Sequence, residues 1–108
     1  DKKSKEYIKV ETIKLSDQIK EMDNLPSLLK LDIEGAVMEV LKDLFESKIF
    51  INQLCVEFEE LQNPNSVNRS RVGEVERLLK DNNYTCVHSD GWNGCNRLYL
   101  KNNFLNSI

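Results

Sequence analysis

Glycine and proline are scarce in this chain of 108 residues, four and two respectively. None of the glycines has the spacing of a phosphate-cradling loop, and no serine sits in a Gly-x-Ser-x-Gly elbow. The three cysteines, Cys55, Cys86 and Cys95, lack any Cys-x-x-Cys spacing, and His88 is the only histidine. A zinc site, and a metal site in general, is therefore not expected. No apolar run approaches the roughly 20 residues that cross a bilayer, and no signal-peptide pattern is present. The compartment is not readable. A strong basic excess is missing too: the net charge is -3. A general nucleic-acid binder would carry many more cations to displace phosphate counterions. The one basic run, "DKKSKEYIK", is interrupted by acids and reads as a solvated terminus.

What is present suits one compact domain over residues 1–108, with 40% hydrophobic and 31% charged residues and no repeat, linker or low-complexity tract. The first residue is Asp1 rather than methionine, which fits a piece of a longer protein. "YIKVETIKL" (7–15) reads as an extended segment. Ser16 is placed to cap a short helix over 17–22, with Asp17 in its first turn. A short apolar strand follows over 27–32, then a helix over 36–46 with Val37, Val40, Leu41, Leu44 and Phe45 at helical spacing. "KIFINQLCVEF" is the most strand-like run, and its near-continuous apolar character suits a strand covered on both faces. "QNPNSVN" is a loop, and "SRVGEVERLLKDNN" a helix with Val72, Val75, Leu78 and Leu79 on one stripe. "YTCVHSDGWNGCNRLYLKN" gives two strands around a loop. A two-residue turn at Asp90-Gly91 sets Cys86 opposite Cys95, where a disulfide becomes possible; a turn at Asn93-Gly94 does not. The alternation of strands and helices predicts an α/β fold, its sheet mostly parallel with a closing antiparallel hairpin strand.

Open α/β sheets bind ligands beyond the carboxyl ends of their strands. The first buried strand ends at Asp32, followed by Glu34 and Gly35, and the next ends in "VEFEE", bringing Glu57 and Glu59 to the same rim. Acids also gather there because they suit helix N-termini, which accounts for Glu34 as readily as a site does. Asp32 and Glu57, each closing a buried strand, favour a functional role, whereas Glu59 and Glu60 read as solvated charges leaving the sheet. His88, a lone histidine, reads first as a surface or packed residue, although it too approaches a strand end; Trp92 sits in a Gly-flanked loop either as a stacking surface or lid, or as an anchor to the core.

"LLKLDIEGAVMEVLKDL" resembles the FkbM family of S-adenosylmethionine-dependent methyltransferases, in which a strand ending Lys-h-Asp-h-Glu-Gly-Ala (h apolar) runs into a helix. The match is Lys30, Asp32, Glu34, Gly35 and Ala36, continuing through Glu39, Val40 and Leu41. Thr12, Leu15 and Asp17 resemble the family's upstream Thr-x-x-Leu-Asp-Asp segment, and "LCVEFEE" its next strand, which also ends in a glutamate. Val37 stands where the family usually has an acid. The resemblance implies the second half of a Rossmann-like methyltransferase sheet and S-adenosylmethionine as donor. It implies Asp32 as positioning group or base, Asp32, Glu34 and Gly35 at the donor, and Glu57, His88 and Trp92 toward the acceptor. The Gly-rich turn and ribose-holding acid of a complete donor site are not found, so the chain resembles the C-terminal half only and is expected to be inactive alone. The acceptor implied is a hydroxyl on a small molecule, glycan or lipid; the missing half or a second copy is the expected protein partner. The non-enzymatic alternative is a degenerate or truncated half serving as a folding or interaction module.

Overall fold

The computed structural model describes residues 15–32, 36–63 and 65–108. Its elements run α1 (Leu15–Lys20), β1 (Leu28–Leu31), α2 (Val37–Glu46), β2 (Gln53–Glu57), α3 (Ser66–Asp81), β3 (Tyr84–Asp90), β4 (Asn96–Lys101) and α4 (Asn102–Ser107), with 3-10 turns at Glu59–Gln62 and Trp92–Gly94. The extended segment expected over 7–15 lies outside the described residues except for Leu15, which opens α1.

The four strands form one sheet in the order β1-β2-β4-β3. β1 pairs with β2 in parallel; β4 then runs antiparallel to both β2 and β3. The sheet is thus mixed, which corrects the expectation of a mostly parallel one. The reason lies in the hairpin: β4 returns not to the outer edge but into the space between β2 and β3, so two of the three pairings are antiparallel.

Strand alternation sorts the side chains. Leu31, Leu54, Val56 and Tyr99 face the helices and are buried. The stripe of α2 (Val37, Val40, Leu41, Leu44, Phe45) and that of α3 (Val72, Val75, Leu79) close over them in one cluster. Full burial of a side chain such as Leu41 or Leu44 is worth about 1.5–3 kcal/mol. At the end of β3 farther from the rim, Phe45 stacks on Phe50 and Tyr84 with centroids 5.5 and 5.6 Å apart. The Tyr84 hydroxyl donates to the Ile51 carbonyl at 2.6 Å, and its burial pushes its pKa above the usual phenol value.

Helix ends explain two departures from the sequence reading. α3 begins at Ser66, several residues before the expected start, because the Asn65 side chain accepts from the Asn68 N–H at 2.8 Å and caps it. Ser16 does not cap α1 from outside; it lies within the helix and is 2% exposed. Its N–H and hydroxyl donate to the Asp43 carboxylate of α2, at 3.1 and 2.9 Å. Asp43 therefore satisfies a free first-turn N–H of α1 from a neighbouring helix. α4 was not expected, since "NNFLNS" carries little helical pattern.

The β3–β4 connection resolves the competing turns. Asp90 pairs with Asn96 and Cys86 with Tyr99, while Cys95 is buried in the loop, and all three cysteines are free thiols. Gly91 takes φ +83° there, and a Cβ at this position would meet the Asn96 side chain at 2.8 Å and Cys95 Sγ at 3.0 Å.

Because the Ser16–Asp43 pair is the polar tie between α1 and α2, Asp43→Ala is expected to lower the unfolding free energy by about 1–2 kcal/mol. Urea denaturation checks this, with exposed Lys42→Ala as the control that changes it by less than about 0.5 kcal/mol.

Candidate functional site

Parallel register builds the site. Leu31 lies beside Val56, so the next residue of each strand, Asp32 and Glu57, emerge together at the carboxyl ends. Beyond β2 the in-out alternation continues for one more step: Phe58 is 1% exposed, and its N–H donates to the Cys95 carbonyl at 2.7 Å. Glu57 and Glu59 consequently face outward on either side of a buried anchor. Carboxylate oxygens of Asp32, Glu57 and Glu59 all lie within 4.8 Å of one another, with Asp32 exposed and both glutamates half-buried.

Crowding has an electrostatic consequence. The Glu57 carboxyl is raised above its ordinary pKa, first by desolvation, then by the charge of Asp32 and a hydrogen bond with it, and by the charge of Glu59; Lys30 opposes the shift. Three hard oxygen ligands are also what a divalent cation such as magnesium prefers.

The same rim continues across the sheet. Glu57 stands opposite Asn96, which stands opposite Asp90. His88 Nε2 lies 3.1 Å from Asp90 Oδ2, both side chains being well exposed. Trp92 is 71% exposed, so it does not anchor its loop. That task falls to Asn93, whose side-chain amide donates to the Leu61 carbonyl at 3.0 Å, and to buried Cys95. The indole is held out in solvent by a loop fixed beneath it. Glu34 and Gly35 lie outside the described residues. The structure thus gathers Asp32, Glu57 and Glu59, extends the rim to Asp90 and His88, and adds Asn96 and Asp90, which the sequence reading did not single out. Their signal was the hairpin register, which no local pattern encodes.

The fold and this rim define an α/β domain with an acidic edge at the ends of its parallel strands. Residues 1–86 match the family model of the methyltransferase FkbM domain, and the chain belongs to that family. Comparison with curated proteins and with solved structures returns no match. Membership implies a donor of the S-adenosylmethionine type. The residues present fit its charge: the acids at Asp32 and Glu57 complement a sulfonium and an ammonium.

A carboxyl whose folded-state pKa is raised binds its proton more tightly folded than unfolded. Stability then falls as pH rises from about 4.3, the free glutamate value, through the raised one. Glu57→Gln removes this cost. It is expected to raise the unfolding temperature above the parent's at pH 7 and to leave it unchanged near pH 3; equal temperatures at both would contradict the crowding described.

Proposed function

We propose that this chain forms the acceptor-side part of an S-adenosylmethionine-dependent O-methyltransferase, completed at the donor's nucleoside by residues outside this chain. The observation that carries the reading is the juxtaposition of Asp32 and Glu57 at the carboxyl ends of β1 and β2, at the place where α/β sheets bind ligands. The strand order supports it as well: β1, β2 and β3 point one way with β4 returned between the last two. This fits the second half of a Rossmann-like methyltransferase sheet. A bound donor supplies an electrophilic methyl group on a sulfonium sulfur.

The chain's own residues do the rest. Asp32, exposed at the rim, orients the acceptor hydroxyl or the donor's cationic end; Glu34 and Gly35, which follow it in the sequence, are assigned to the donor by the family resemblance. Glu57, its carboxyl raised by desolvation and by the neighbouring Asp32, stands beside Asp32 to hydrogen-bond the ligand. Trp92 offers a flat apolar surface to the acceptor. The interaction-module alternative keeps one observation in its favour. Among the described residues, the sheet face opposite the helices is uncovered, with Leu28 49% exposed at its edge.

Calorimetric titration of the folded chain with S-adenosylmethionine and with S-adenosylhomocysteine separates the two. One unit charge near a carboxylate in a wet site is worth about 1 kcal/mol, or about fivefold. With the nucleoside unheld by this chain, the sulfonium donor is expected to bind weakly but saturably, and more tightly than the neutral product by about that factor, with the preference lost in Asp32→Ala. Absence of binding by a folded chain overturns the reading and leaves the module.

A further inference from the structure

The open face of the sheet holds a cavity of about 290 Å³, with Cys55, Val56 and Leu98 as its apolar lining and Lys30, Glu57, Asn96, His88 and Asp90 among the polar groups around it. Register explains its composition. Lys30, Cys55, Leu98 and His88 are successive partners across all four strands. The polar partners Glu57, Asn96 and Asp90 lie one step further toward the rim. Arg97 also borders this cavity, but it is committed elsewhere: its guanidinium pairs with Glu76 of α3 and donates to the Gly94 carbonyl at 3.0 Å.

His88 reaches this face only through an irregularity. Cys86 pairs with Tyr99, yet the next pairing is His88 with Leu98, so Val87 is an extra residue. Counted from Tyr84, whose side chain is buried on the helix side, strict alternation would turn His88 and Asp90 toward the helices and Val87 outward. The bulge inverts this. One inserted residue delivers a histidine and an aspartate together, hydrogen-bonded, to the cavity that Glu57 also borders. Bulges commonly re-aim side chains in this way beside active sites.

We propose that this cavity seats the acceptor's hydroxyl-bearing ring and that the His88–Asp90 pair, turned into it by the bulge, takes the hydroxyl proton. With Nε2 on the Asp90 carboxylate, a neutral imidazole keeps its proton on Nε2 and its lone pair on Nδ1. The proton passes from the acceptor oxygen to Nδ1, leaving an imidazolium held against Asp90. The oxygen's electron pair forms the new bond to the methyl carbon while the carbon–sulfur pair returns to sulfur, giving a thioether. The inference rests on the methyl-transfer reading for its purpose, but a hydroxyl ligand can be tested with no donor present.

His88 being the only histidine, its ring signals need no assignment. Long-range proton–nitrogen correlation of the folded chain is expected to show the Nε2-protonated tautomer in the neutral form. Titration with phenol or with methyl α-D-glucopyranoside should shift the ring signals saturably, and which of the two does so tells an aromatic hydroxyl from a saccharide one. Asp90→Asn should relax the tautomer to a mixture. Leu98→Phe, which fills the cavity, should abolish the shift and leave the tautomer in place; circular dichroism confirms that both variants fold. A tautomer mixture in the parent chain, or ring signals that neither probe moves across its soluble range, overturns the proposal. Failure here with intact donor binding would leave the methyl-transfer reading standing.

Discussion

Leu31 and Val56 stand side by side in adjacent parallel strands, each 1% exposed beneath the helices, and this contact decides where every acid at the rim goes. Because strand side chains alternate, the residues that follow, Asp32 and Glu57, are carried past the covered layer together. A slip of one residue would put Lys30 into the core and bury a charge, which the sequence of β1 does not tolerate. Apolar register therefore does more than hold the sheet: it sets two carboxylates next to each other, at a cost in stability that apolar burial offsets.

The helical layer makes that register durable. α1 is tied to α2 through Ser16 and Asp43, and α2 closes over the same strands with its apolar stripe. On the same side of the sheet, Arg97 links β4 to Glu76 of α3 and lies 5.3 Å from the Phe58 ring centroid. The residue between the two glutamates of the rim is thereby fixed from below. One face is packed to a core while the other holds polar groups over a shallow apolar lining. That division lets a small domain carry crowded charges without unfolding.

Much of this was legible in the chain. Helical spacing in "VMEVLKDLFE", the apolar run before Asp32 and the acids closing two strands located the rim, and the Lys-h-Asp-h-Glu-Gly-Ala segment pointed to the family that residues 1–86 confirm. Three things were not legible, each for a physical reason. The direction and place of β4 depend on long-range pairing, so the sheet read as more parallel than it is. Ser16 has the chemistry of a cap, but its partner Asp43 lies 27 residues away, beyond any local pattern. The bulge at Val87 leaves no mark in composition, yet it decides which way His88 and Asp90 face.

The central claim is that Asp32 and Glu57 share one crowded rim. Carbon-detected titration of the Glu57 side-chain carboxyl tests it most directly, in the parent chain and in Asp32→Asn. The account predicts a Glu57 midpoint above the ordinary carboxylate range in the parent, and a clear downward move when Asp32 loses its charge, with part of the elevation kept by desolvation. A Glu57 midpoint that ignores the substitution would place the two acids apart and contradict the site.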